Sequence, residues 1–172
     1  MLRFGSFQSI SKVNCTTDQA CFAHLIPETN KQTAVIETNS KSLCRRADEL
    51  QRASARELPH DMDTAGLLIF YAAECNLKAA YMRFYALKDT SDARGTSCPV
   101  RDYGHRIDEL ALELRIPASS VPRPPRILLR RTQQEICIKQ LHEAWRYGEK
   151  IEDADELYKW LVKLDLWARN NR

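Results

Sequence analysis

The residues best suited to chemistry in this chain are an acid, a base and a histidine close together in sequence. Glu74 and Lys78 interrupt a long apolar segment, and His105 follows Gly104 after the next loop. A four-residue spacing puts Glu74 and Lys78 on one helix face, which predicts an ion pair at the edge of the core. Histidine exchanges protons near neutral pH and is the commonest general acid or base. For His105, however, we expect a structural hydrogen bond to the backbone at the start of a helix.

Two arginine–histidine pairs widen the set of catalytic candidates to Arg101, His105, His142 and Arg146. Each pair is spaced by four positions, so each could lie on one side of a helical turn. An arginine can hold a phosphate while a nearby histidine transfers a proton. The more ordinary expectation for His142 and Arg146 is a solvated or dimer-facing surface. The chemical interpretation stays open for both pairs.

A cluster of arginines follows the third expected helix, at Arg123, Arg126, Arg130 and Arg131. The chain carries a formal net charge of +3, and arginine outnumbers lysine by 17 to 9. Guanidinium groups bind phosphates in bidentate geometry, and each phosphate neutralised adds salt-dependent affinity. The cluster is therefore the predicted nucleic-acid-binding surface, with a simple solvated surface as the open alternative.

Several common chemistries have no motif in this sequence. It contains no Gly-rich phosphate loop, no Gly-x-Ser-x-Gly and no His-Glu-x-x-His. Cys15 and Cys21 lie near His24, but their irregular spacing is unlike a zinc site. We therefore predict no metal and no cofactor. The first residues lack a signal-peptide core and no apolar run reaches membrane-spanning length, so we expect a cytoplasmic protein with reduced cysteines.

The elements that must position these residues are expected to be helical. The 172 residues suggest one domain, with a weakly patterned arm at 1–40 and a helical bundle at 41–172. In the arm we expect a short helix at 18–25 and a short strand at 33–38. In the bundle we predict helices at 42–56, from 63 or 64 for about 25 residues, at 105–115, at 127–147, and from 153 or 155 to 168. The apolar stripe from Leu67 to Tyr85 makes the second helix central. The predicted fold is an all-α, antiparallel bundle of four to five helices.

The second and third expected helices resemble the HEPN family of helical bundles (higher eukaryotes and prokaryotes nucleotide-binding). The matching residues are Ala73, Glu74, Leu77, Lys78 and Ala79, then Gly104, His105, Ile107 and Leu110. The resemblance covers roughly residues 42–170. It implies an antiparallel bundle that usually forms dimers. Many members of the family are metal-independent ribonucleases of bacterial toxin, defence and CRISPR systems. Their signature is an arginine, four to six residues, then a histidine, with the active site formed across the dimer.

This chain departs from that signature. Only three residues separate Arg56 from His60 and Arg101 from His105, and the remaining pair runs in reverse order. We therefore expect a non-catalytic, HEPN-like homodimer that acts as a scaffold or partner-binding subunit in a bacterial defence, toxin–antitoxin or mobile-element system, with a partner from the same operon. One alternative is a divergent metal-independent HEPN ribonuclease that uses a rearranged pair. Another is a basic RNA- or DNA-binding module without catalysis.

Overall fold

The structure is a computed structural model that describes residues 37–172. The helices of this part are α1 (Ser40–Glu57), α2 (Met62–Phe84), α3 (Ile107–Glu113), α4 (Leu141–Arg146) and α5 (Ala154–Asn171). Two short strands, β1 (Ile127–Leu128) and β2 (Glu135–Ile136), pair in antiparallel fashion, and 3-10 turns cover Val100–Tyr103 and Ile138–Gln140. The prediction of a mainly helical protein is confirmed for these residues. The expected helix at 18–25 and nearly all of the expected strand at 33–38 lie outside them.

The ends of the long helices follow from local chemistry. The Asn39 side chain accepts a hydrogen bond from the Ser42 amide (2.9 Å), and that of Asp61 accepts one from the Asp63 amide (3.1 Å). These bonds satisfy amides that have no partner within the helix. At the other end, α2 stops at Phe84, short of the predicted position near 88, because Ala86 adopts a positive φ of 53° that a helix cannot continue through.

Polar contacts along the long helices establish their directions. Ser54, near the end of α1, donates to the carbonyl of Ala65, near the start of α2 (2.8 Å), so these two helices are antiparallel. Asn76 of α2 bonds Asp165 of α5 (2.7 Å), and Arg83 bonds the carbonyl of Arg172 seven residues further along both helices. Helices α2 and α5 therefore run parallel, unlike the up-and-down order that the sequence predicted. The long segment between them returns the chain to the starting end of α2 before α5 begins.

The predicted helix at 127–147 is wrong over most of its length. A hairpin of β1 and β2 occupies 127–136, and Leu129 makes a further bridge to Ile151. Ile127, Leu129, Ile136 and Ile138 are buried, and their spacing of two within each arm is the period of a strand. Gln133 turns the chain with a φ of 56°. Within this segment an α-helix forms only at α4, which is followed by Gly148 at a φ of 77°, a conformation common just after a helix end.

The core gathers around α2, as its apolar stripe predicted. Ile69, Phe70, Leu77 and Tyr81 are almost completely buried against α1, α4 and α5, although Phe84 at the end of the stripe is exposed. Gly66 lets the Trp145 ring approach the α2 backbone, since a Cβ there would lie 2.6 Å from Trp145 Cζ2. None of the helices within 37–172 combines the length and apolar character needed to cross a membrane.

Candidate functional site

Glu74 is the centre of a polar cluster on the buried side of α2. The residue is only 6% exposed, and both of its carboxylate oxygens are occupied. Oε1 accepts from Lys78 Nζ at 2.5 Å, which confirms the predicted ion pair, and Oε2 meets His105 Nδ1 at 2.8 Å. A buried carboxylate is tolerated only when it is paired and hydrogen-bonded in this way.

The hydrogen bond of the His105 side chain differs from the predicted one. No side chain caps the start of α3, and the His105 ring reaches back to α2 instead of bonding the backbone there. Gly104 makes this possible with a φ of 54°, a conformation that favours glycine, at the turn between the Val100–Tyr103 segment and α3. Because a carboxylate can only accept, Nδ1 carries a proton, and in the neutral form of the ring the free lone pair is on Nε2. The side chain is 42% exposed, so this nitrogen can serve as a base.

His142 lies directly beside His105 and is not on the solvated surface that the sequence predicted. The ring centroids of His142 and His105 are 4.1 Å apart. Phe70 stacks on the His142 ring, with a centroid distance of 5.7 Å. His142 is 6% exposed, and its Nδ1 forms no hydrogen bond of normal geometry among the described residues. The nearby backbone carbonyl of Lys139 acts to raise the pKa of His142. Burial first, and then the neighbouring His105, hold the pKa of His142 below its usual value.

Tyr71 joins this cluster from α2, one turn before Glu74. Its ring centroid lies 5.7 Å from that of His105 and 6.4 Å from that of His142. Burial raises the pKa of the Tyr71 hydroxyl, and the positive charge of Arg146 opposes that rise. The apolar stripe from Leu67 to Tyr85 includes Tyr71 and predicts only a core position for it. Its spacing of three from Glu74 on the same helix face was the signal that could have placed it in the site.

The two histidines lie on the wall of an open groove between the turn that precedes α3 and the start of α4. The groove is lined by Asp102, Tyr103, Gly104, His105, Arg106, Lys139, Gln140, His142 and Glu143. Arg106 is engaged by Glu109 at 2.6 Å, whereas Lys139 has an exposed side chain and forms no ion pair among residues 37–172. The groove thus offers one imidazole nitrogen and one lysine ammonium to a ligand.

Two of the four catalytic candidates therefore come together. His105 and His142 are in ring contact, whereas Arg146 is exposed and lies over the Tyr147 ring, with its guanidinium carbon 5.9 Å from the ring centroid. Arg101 stays apart, with its guanidinium 3.6 Å from the Asp102 carboxylate and outside the groove that His105 lines. The two rings are too close for a phosphate to enter between them. They cannot stand on opposite sides of one phosphorus atom as the acid and base of an in-line displacement.

The four arginines of the predicted nucleic-acid-binding cluster are dispersed along the hairpin and the segment before it. Arg126 pairs with Glu135 and Arg131 with Glu149, both at 2.9 Å, so two of the four charges are balanced locally. Arg123 lies beside an apolar groove between α3 and α5, and Arg130 lies at the hairpin turn. Nucleic-acid binding by this cluster stays a prediction.

The described part contains four free cysteines, of which Cys98 is exposed. Within residues 37–172, no three histidine, cysteine or acidic side chains are grouped as a metal site would require. Burial raises the pKa of the Cys75 thiol to about 11, so at neutral pH Cys75 stays protonated. Cys15, Cys21 and His24 lie outside the described residues.

Compared with protein-family models, with curated proteins and with solved structures, the chain matches none of them.

Proposed function

We propose that this protein is a divergent, HEPN-like, metal-independent endoribonuclease of the cytoplasm, with His105 as its general base. The observation that carries the proposal is the 2.8 Å contact between Glu74 Oε2 and His105 Nδ1, which directs the other ring nitrogen outward from a buried acid. A carboxylate that orients an imidazole and stabilises its protonated form is a recurring catalytic arrangement. RNA is the fitting substrate because it carries its own nucleophile, the 2′-hydroxyl, beside each phosphate.

The proposed reaction needs only groups of the chain, RNA and solvent, and the solvent finally receives the proton that His105 accepts. His105 Nε2 takes the proton of a 2′-hydroxyl, and the 2′-oxygen attacks the adjacent phosphorus. The bond from phosphorus to the 5′-oxygen breaks, that oxygen takes up a proton from solvent, and a 2′,3′-cyclic phosphate remains. Lys139 lies where it can neutralise the phosphate, and Glu74 stabilises the imidazolium that forms. His142 supports the ring of His105 from its side.

The test is cleavage of a single-stranded RNA by the full chain in the presence of a chelator. We expect products with 2′,3′-cyclic phosphate ends, and a loss of about 100-fold or more in rate for His105→Ala, the usual range for a general base. Glu74→Gln should also slow cleavage. The exposed His60 provides the matched control, and His60→Ala should cleave at the wild-type rate.

The proposal fails if the chain leaves RNA intact, or if His105→Ala cleaves as fast as the wild type. Thermal unfolding of each variant separates a lost base from a lost fold. An RNA analogue with 2′-deoxyribose at the scissile position should resist cleavage but still bind.

The non-catalytic alternative is a HEPN-like scaffold or partner-binding subunit of a bacterial defence, toxin–antitoxin or mobile-element system. It is favoured by one observation, that Glu74 bonds both Lys78 and His105 and so ties α2 to the start of α3. If this network serves only the fold, Glu74→Gln will lower the melting temperature of a protein that never cleaves RNA. Co-purification with the product of a neighbouring gene would then identify the partner.

A further inference from the structure

A groove near the C-terminal ends of α2 and α5 combines exposed aromatic and amide side chains. Phe84 of α2 and Trp167 of α5 both line it, and the lining also includes Arg83, Asn170 and Asn171. Phe84 is 66% exposed, and Trp167 is partly buried. The volume of the groove is about 420 Å³, within the range of about 300–1,000 Å³ that small-ligand pockets have. The groove is therefore large enough to hold a flat heterocycle against an aromatic side chain.

A second groove adjoins the first along α5, and Trp167 and Asn170 belong to both. Lys163 and Leu166 line this second groove, and Leu166 is 55% exposed. Trp167 thus lies between two neighbouring depressions of one surface. We call this surface the aromatic track and define it by Arg83, Phe84, Lys163, Trp167, Asn170 and Asn171.

The charge of the aromatic track is positive. Among the described residues, neither groove has an acidic side chain in its lining. Lys163 is exposed and forms no ion pair within residues 37–172, unlike Lys159 one turn earlier, which pairs with Asp155. Arg83 is also exposed, and one of its nitrogens donates to the Arg172 carbonyl at 2.7 Å, which fixes the guanidinium at the groove. Two cations without carboxylates beside them are complementary to a phosphate backbone.

The amides of the track are free to contact the edge of a base. Asn171 Nδ2 donates to the Trp167 carbonyl at 2.7 Å, so Asn171 Oδ1 stays available to accept from a ligand. Asn170 is exposed, and within residues 37–172 its side chain has no hydrogen-bond partner, so this amide can both donate and accept. An unpaired base offers the matching groups on its Watson–Crick edge, whereas in a duplex the opposite base occupies that edge.

We infer that the aromatic track binds single-stranded RNA. Unpaired bases stack on Phe84 and Trp167, and the phosphates between them lie near the two cations, which is how proteins hold unpaired strands. An apolar protein segment would cover Phe84 but would leave the amides and both cations without partners. The track shares no residue with the groove that contains His105. The choice of RNA rests on the proposed function, whereas binding can be measured without cleavage.

Tryptophan fluorescence of the full chain tests the stacking. Of its three tryptophans, Trp145 and Trp160 are 6% exposed, and only Trp167 lines the track. We expect a single-stranded 2′-O-methyl RNA, which has no free nucleophile, to quench the fluorescence to saturation at low salt. Phe84→Ala should raise the Kd about tenfold, the order of one stacked base. Tyr147 is the matched control, because it is exposed but lies outside both grooves, and Tyr147→Ala should bind like the wild type.

The salt dependence of the Kd tests the charges. Lys163→Ala should weaken binding and reduce this dependence by about the share of one phosphate. Lys159→Ala should keep the wild-type dependence, because Asp155 already balances Lys159. A duplex of the same sequence should quench less than the single strand, since its bases are paired.

Three results would each overturn the inference: no quenching, equal affinity for Phe84→Ala and Tyr147→Ala, or equal quenching by the duplex and the single strand. Because Phe84 is exposed, its variant should keep the wild-type melting temperature, which distinguishes a lost contact from a lost fold. Binding to the track without any cleavage would leave this inference standing and remove the proposed function. Cleavage that depends on His105, in a chain whose fluorescence does not respond to RNA, would do the reverse.

Discussion

Glu74 is the residue on which the local chemistry of this protein depends. Its carboxylate is buried on α2 and makes one bond to Lys78 and one to His105. Losing one partner of a buried ionic group leaves the other group uncompensated, which costs about 3–5 kcal/mol in well-buried cases. The bond to His105 also fixes the position of its ring at the groove. At this site, therefore, stability and the proposed catalysis rest on the same atoms.

His142 makes a testable contribution to the pH dependence of stability. Its pKa is lowered by burial and by His105, so the folded protein resists protonating it while the unfolded chain takes up the proton below about pH 6.5. This contribution to stability is therefore complete above about pH 6.5. It is lost as the pH falls from there through the lowered pKa of His142 in the folded protein. When the pH is lowered from about 7 to about 5, we expect the free energy of unfolding to decrease less for His142→Phe than for the wild type.

Urea denaturation at a series of pH values provides the measurement. His60→Gln is the control, because His60 is exposed, and its pH profile should follow that of the wild type. Parallel profiles for the wild type and His142→Phe would contradict the expectation.

At the scale of elements, α2 and α4 pack through a single glycine. The Trp145 ring lies over Gly66 so closely that any Cβ there would overlap its six-membered ring. Trp145 also brings the short α4 to the core, and His142 lies on the same helix. The position of α4, and of His142 at the groove, thus depends on the absence of a side chain at Gly66.

Gly66→Ala is accordingly expected to destabilise the protein by about 1–3 kcal/mol, the usual effect of overpacking, even though alanine is the better helix former. Melting temperature and urea denaturation report the loss. Trp145→Phe removes the ring that Cζ2 belongs to, so the double variant should lose less than the sum of the single losses. Strict additivity would mean that the two residues do not interfere.

The prediction of a helix at 127–147 failed because the first half of the segment forms a hairpin. Ile127 and Leu129, like Ile136 and Ile138, are two positions apart, which places each pair on opposite sides of a helix but on one face of a strand. A hairpin this short is only marginally stable by itself, however, so the pattern alone does not settle the assignment. Contacts with residues outside the hairpin decide between strand and helix. Leu129 bridges to Ile151, and the Glu152 amide donates to the Leu128 carbonyl at 2.9 Å, so the hairpin gains partners that no window of sequence contains.

At the scale of the whole molecule, Arg172 links all three long helices. Its guanidinium donates to the Cys44 carbonyl (3.2 Å) and to Asp48 (2.9 Å) on α1, and also to the side chain of Asn76 on α2. Its own carbonyl accepts from Arg83 at 2.7 Å. Next to it, Asp165 bonds Asn76, and burial raises the pKa of that carboxyl. This network joins α2 and α5 in parallel where no short loop holds them together.

Arg172→Ala should therefore lower the free energy of unfolding by about 1.5–3 kcal/mol, the range for hydrogen bonds to charged groups. Arg169 offers a matched control, because it contacts the same Asp48 oxygen at the same distance but is 40% exposed, against 14% for Arg172. Its replacement by alanine should cost less than about 1 kcal/mol. Urea denaturation would refute the role of Arg172 if the two variants proved equally stable.

What the sequence by itself determined are the features that depend on residues a few positions apart. The apolar stripe of α2 and the Glu74–Lys78 pair both arise within a single helix, where a regular backbone sets every distance. The N-caps, Asn39 and Asp61, lie two or three residues before the predicted helix starts. The tertiary structure alone decided the rest. The bond from Glu74 to His105 spans 31 positions, the contact of His105 with His142 joins two separate elements, and the hairpin depends on residues beyond it. Each requires distant segments to meet, and their meeting depends on how the whole chain buries its apolar surface, which no local spacing specifies.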